Sequence, residues 1–150
     1  MKLVAWCLTL LFLTTTGAAA ADGDAAAGKA KAGVCAACHG SDGNSINPIW
    51  PKLAGQNERY FVSQVAAIRS GDGRGGAQAA SMRPIVMNIS DDDIRDIAAF
   101  YATQTGTTES VSAAAAEQGG TLYRGGDEKA GIPACMSCHG PAGEGNTLAG

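Results

Sequence analysis

Four of the five cysteines and both histidines of this 150-residue chain fall into two clusters, Cys35-Ala36-Ala37-Cys38-His39 and Cys135-Met136-Ser137-Cys138-His139. In each, two thiols lie three positions apart and an imidazole follows directly. On one turn of helix such thiols reach the two vinyl groups of a single porphyrin and form thioethers, while the adjacent histidine sets a ring nitrogen on the iron. The clusters therefore read as two attachment motifs for haem c. Cys35, Cys38, Cys135 and Cys138 are the cofactor-binding residues, and His39 and His139 are metal ligands. Three other chemistries use paired cysteines. A thioredoxin-like redox pair expects a βαβ setting and does not need the histidine. A zinc site expects two such pairs about 15–20 residues apart, whereas 96 residues separate Cys38 from Cys135. Disulfides form in oxidising compartments and stay open as an alternative. Two motifs in one register behind an export segment favour haem.

No histidine is left for the second axial position of either iron, so the usual remaining ligand is methionine. With Met1 set aside, the candidates are Met82, Met87 and Met136. Met136 lies inside the second motif, held beside its own haem, and is poorly placed. Met87, among Ile85, Val86 and Ile89, is expected to pack in a core. Met82 sits in the less regular segment Ala80-Ser81-Met82-Arg83-Pro84, where a loop could bend over the haem, and is the favoured ligand. The carbonyl of Pro51, twelve residues after His39, is the candidate partner for the other ring nitrogen of His39.

These residues need elements to hold them. A small-residue segment over 24–34 leads into the first motif and a similar one over 113–125 leads toward the second. Residues 59–69 place Phe61, Val62, Val65 and Ile68 on one helical face, and Gly71 follows as a stop. Ser90 caps a further helix with Asp91, Asp92 and Asp93 in its first turn, and its apolar face is Ile94, Ile97, Ala98 and Tyr101. Gly106 ends it. The glycine-rich stretch 71–76 reads as a flexible loop, and nothing alternates as a half-buried strand would. The fold class is all-α. A displacement of 100 residues superposes Cys35, Cys38, His39, Gly40 and Gly43 on Cys135, Cys138, His139, Gly140 and Gly143. The expected organisation is a signal peptide over 1–21, a first unit over 22–106, a linker over 107–116 and a partial second unit over 117–150. The sequence reads as C-terminally truncated, because no counterpart of the later helices follows His139.

The first residues form an export signal: Lys2, an apolar run to Leu13, and Ala19-Ala20-Ala21 before Asp22. Its removal leaves ten basic against fourteen acidic residues, an acidic chain with no basic face for nucleic acid. Beyond the signal no segment is long and apolar enough to span a bilayer. The mature protein is expected to be periplasmic.

Together these residues resemble the class I cytochrome c family, and more closely its dihaem, two-domain cytochrome c4 group. The resemblance is carried by 35–44, by Trp50-Pro51-Lys52-Leu53-Ala54-Gly55-Gln56, by 82–90 with the Asp-rich helix start, and by Arg124-Gly125-Gly126. It implies that Gly28 lies where the first helix crosses the last, that Pro51 supplies the carbonyl to His39, and that Met82 binds iron. It also implies an electron carrier, with redox proteins such as a terminal oxidase or reductase as partners, possible membrane-surface association, and no small-molecule substrate. Every available Cys and His is committed to a motif, so no nucleophile set remains for an enzyme. The competing reading is a haem enzyme, such as a dihaem peroxidase or a dehydrogenase subunit, in which one iron stays open.

Overall fold

The computed structural model describes residues 23–72 and 76–145. The expected signal segment lies outside the described residues, as do 73–75 of the glycine-rich loop. The described residues form α1 (Ala25–Lys31), α2 (Gly33–His39), α3 (Glu58–Ser70), α4 (Ala77–Val86), α5 (Asp91–Ala102), α6 (Ala113–Gly125) and α7 (Met136–His139). Their one β feature is an isolated antiparallel bridge between Asp127 and Ile132. The chain is all-α.

The stretch before the first motif forms two helices where the sequence predicts one. Asp24 caps α1 by accepting from the Ala26 and Ala27 amides at 2.8 and 3.1 Å. The break comes at Ala32 and Gly33, where glycine is the weakest helix former of the run. A fresh helix, α2, then carries the whole first motif.

At the centre lies α5. Ser90 caps it by accepting from the Asp93 amide at 3.1 Å. The predicted face, Ile94, Ile97, Ala98 and Tyr101, is buried, and so are Ala99 and Phe100. Both α1 and α3 pack on this helix, so it is covered on more than one side. Phe61 of α3 stacks on Tyr101 with ring centroids 6.1 Å apart. Where α1 meets α5 the backbones touch: a β-carbon at Gly28 would lie 1.9 Å from the Asp96 carbonyl oxygen. Lys31 locks the crossing through Asp93 at 2.6 Å and Asp96 at 2.5 Å. α5 ends at Ala102, four residues before Gly106, because the Thr103 amide turns back to Phe100.

The segment expected to be irregular is helical. Ala77, Ala79 and Ala80 are strong helix formers, and Ala79, Met82 and Val86 recur at the spacing of one face. Val86 and Ala79 are buried, and Met82 packs against the same core cluster. Pro84 removes the donor for the Ala80 carbonyl but falls in the last turn, where little helix remains to be broken. The face that buries Met82 turns Met87 outward, and Met87 is 52% exposed instead of core-packed.

Beyond α5 the chain is strapped to the loop that follows the first motif. The Asn44 side chain donates to the Thr105 carbonyl at 3.0 Å and accepts from the Thr107 amide at 2.7 Å. Lys52 donates to the Thr107 carbonyl at 2.8 Å. α6 starts at Ala113 under a Ser112 cap. α6 and α7 pack on each other, with the Tyr123 hydroxyl donating to the Gly140 carbonyl at 2.5 Å, and neither contains a buried residue.

Candidate functional site

Cys35, Cys38 and His39 share α2, so one short helix presents both thiols and the imidazole. His39 is its last residue and is 5% exposed. Its Nδ1 lies 2.8 Å from the Pro51 carbonyl oxygen. A carbonyl can only accept, so Nδ1 carries the proton and Nε2 keeps its lone pair, the tautomer a metal ligand requires. The Pro51 carbonyl is itself held in place. Gly40 closes α2 with φ 83°, a conformation that favours glycine, and the Leu53 and Ala54 amides both donate to the Gly43 carbonyl, at 2.8 and 3.2 Å.

Cys35 is half-buried and packs on the core cluster formed chiefly by α3 and α5. Burial pushes its thiol pKa up. The Tyr101 hydroxyl interacts with this thiol, is wholly buried and meets no protein atom in hydrogen-bond geometry. Burial, together with the neighbouring Cys35, raises the Tyr101 pKa as well. Met82 reaches the same core cluster from α4. The first motif, Tyr101 and Met82 thus border one apolar core built by α3, α4 and α5.

The residues fit haem c. All four motif cysteines are free thiols. The His39 tautomer leaves Nε2 to face a metal, Met82 offers a thioether, and among the described residues the Tyr101 hydroxyl is a buried polar side-chain atom that protein neighbours leave unsatisfied. Among the described residues no three His, Cys, Asp or Glu side chains converge as a protein-built zinc site would.

The second motif has the chemistry without the surroundings. Cys135 is half-buried, whereas Cys138 and His139 are exposed. No hydrogen-bond partner for the His139 ring is present among the described residues, and α6 and α7 supply no buried side chain. Met136 is half-buried within the motif itself. The residue that sequence reasoning missed as part of the first site is Tyr101, read only as a core position; its burial as the one aromatic hydroxyl among Ile94, Ile97 and Ala98 was the available signal.

Comparison with known proteins gives a consistent picture. Residues 21–105 match the family model described as cytochrome c. Over 145 residues the chain is 48% identical to cytochrome c4 of Azotobacter vinelandii, covering 93% of this chain and 69% of that one. Cytochrome c-554(548) of Halomonas halodenitrificans is 51% identical over 82 residues, which is 55% of this chain and 98% of that one. The crystal structure of reduced recombinant cytochrome c4 from Pseudomonas stutzeri superposes with a TM-score of 0.72 at 46% identity, covering 85% of this chain and 70% of that one. Among the described residues no helix is long and apolar enough to cross a membrane.

Proposed function

The chain belongs to the cytochrome c family, with the electron-carrier fold and haem c motifs of its cytochrome c4 members, and from that premise we propose an exported, periplasmic carrier serving a respiratory oxidase or reductase. The parts of the chain are then a signal peptide over 1–21, a redox unit over 22–106, a linker over 107–116 and part of a second unit over 117–150. The observation that carries the reading is the buried His39, its Nδ1 committed to Pro51 and its Nε2 free.

Haem c, when bound, supplies an iron that gains and loses one electron without exchanging atoms. Cys35 and Cys38 would hold the cofactor by two thioethers. Pro51 orients His39 and raises its basicity as a ligand. Met82 would give the iron its second protein ligand, a thioether, leaving no open position for a substrate and favouring the reduced state. The buried faces of α3 and α5 keep water away from the cofactor. At the second motif Cys135 and Cys138 would attach haem, and His139 would be its protein ligand.

The test is expression with a cytochrome c maturation system, followed by a haem count, spectra and a redox titration. The expected product carries two haems, the first low-spin and reversibly reducible. In Met82→Ala the methionine–iron(III) charge-transfer band disappears and the potential of the first haem falls. An unchanged spectrum and potential in that variant would overturn the Met82 assignment. A high-spin, peroxide-consuming first haem would overturn the carrier reading.

A further inference from the structure

Met82 is carried by a helix whose far end is tied to α3 by the Arg69 side chain. α4 runs from Ala77 to Val86 and contains a proline, so its own hydrogen bonding is incomplete. Its last carbonyls need donors from elsewhere. Met87 and Asn88 supply them for Arg83 and Pro84, at 3.1 Å each. The Val86 carbonyl has a long local contact from the Ile89 amide at 3.4 Å, and a shorter one, 3.0 Å, from Arg69 Nε on α3. The same guanidinium donates through Nη2 to the Ile89 carbonyl and through Nη1 to Asp91 at 2.5 Å. In return Arg83 of α4 donates to the Arg69 carbonyl at 2.9 Å.

One planar fork therefore ties together the end of α4, the turn at Ile89 and the first turn of α5. The Arg69 side chain is 22% exposed, so its part-buried bonds to the Val86 and Ile89 carbonyls are shielded from competing water, whereas its partner Asp91 is 76% exposed. Its three acceptors diverge in a pattern that five fixed guanidinium donors can meet and a lysine ammonium cannot. Val86 lies four residues from Met82, on the same face of α4. Fixing the Val86 carbonyl therefore fixes the register and depth of the Met82 thioether over the core.

We propose that Arg69 is a positioning residue for the axial methionine: its fork on Val86, Ile89 and Asp91 holds α4 so that Met82 reaches the iron. This inference rests on the assignment of Met82 as ligand. Loosening the fork lowers the fraction of molecules with methionine bound, and an added ligand then competes more easily for the iron.

The experiment uses the holoprotein in a Cys135→Ser/Cys138→Ser background, so that only the first haem is read. Three variants are compared at 25 °C, each after its melting temperature has been measured: Arg69→Met, Arg69→Lys and Met82→Ala. In Arg69→Met the methionine–iron(III) band weakens, and imidazole binds the oxidised protein about tenfold more tightly. Arg69→Lys falls between Arg69→Met and the parent, because it keeps the charge opposite Asp91 but not the fork. A full-strength band and unchanged imidazole affinity in Arg69→Met, even with a lowered melting temperature, would overturn the inference and leave Arg69 purely structural. Met82→Ala separates the two readings: if it keeps the band, the Met82 assignment itself fails. If it loses the band while Arg69→Met keeps it, only the role of Arg69 fails.

Discussion

His39 and His139 end helices with the same Cys-x-x-Cys-His pattern, yet His39 is 5% exposed and bonded to Pro51 while His139 lies on the surface. The motif thus specifies what can be attached. It does not specify the pocket. The pocket of the first unit comes from α3, α4 and α5, which supply Phe61, Val65, Val86, Ile97 and Tyr101, and α6 and α7 alone offer no equivalent.

The contrast is sharpest at the leading helices. A β-carbon at Gly28 would collide with the Asp96 carbonyl, whereas one at Gly119 of α6 would meet nothing within 4 Å. Gly28→Val should force α1 off α5 and cost at least about 3 kcal/mol, seen as collapse of the thermal midpoint of the holoprotein. Gly119→Ala should leave that midpoint unchanged and strengthen α6 locally by about 0.5–1 kcal/mol. A damaging Gly119→Ala would break the comparison, because it would reveal packing on α6 that matches the packing on α1.

Truncating the methionines comes next. Met82→Ala removes a side chain packed on the core and should cost about 2 kcal/mol, besides its spectral effect; Met136→Ala should shift the denaturant midpoint hardly at all. Smaller again is the pair of serine caps, which have nearly equal geometry at 3.1 and 3.2 Å. Ser90→Ala should lower the global stability by about 1 kcal/mol. Ser112→Ala should fray α6 alone, so amide exchange in residues 113–116 quickens while the haem-monitored transition stays in place.

The smallest effect belongs to the Lys31 clamp. Hydrogen bonds from Lys31 hold the Asp93 and Asp96 carboxyls below the usual range, and those carboxylates hold the Lys31 ammonium above its usual range. The carboxylates' contribution is present above the unfolded aspartate value of about 3.9 and is lost as pH falls through their depressed values. The lysine's contribution is present below about 10.4 and is lost as pH rises through its raised value. Lys31→Met should therefore be less stable than the parent between about pH 5 and 9, and the gap in urea midpoint should close toward acid. A gap that widens on acidification would remove the clamp as its cause.

Much of the first unit was legible because local rules and tertiary packing agreed there. Ser90 caps as its type predicts, and Ile94, Ile97, Ala98 and Tyr101 bury the face their spacing defines. α4 was not legible. Pro84 and Ser81 hide a helix whose apolar face is only Ala79, Met82 and Val86, and its stability comes from α3 and from Arg69. The exposure of Met87 followed from that same missed helix, since a change of element changes which residues share a face. The part of Tyr101 in the site was hidden for another reason: in sequence its hydroxyl is one more atom on a helix otherwise read as core.

The sequence by itself determined the cofactor chemistry, because two thiols and an imidazole at fixed short spacing can be read without knowing where the rest of the chain goes. It also determined the helical class, since the caps and the 3.6-residue period are local. Only the tertiary structure decided which motif is buried, which methionine faces the core, and that Arg69 spans α3 to the turn between α4 and α5. Those depend on contacts between residues 17 to 72 positions apart, from Arg69–Val86 to Asp24–Asp96, and no local pattern encodes a distance of that kind.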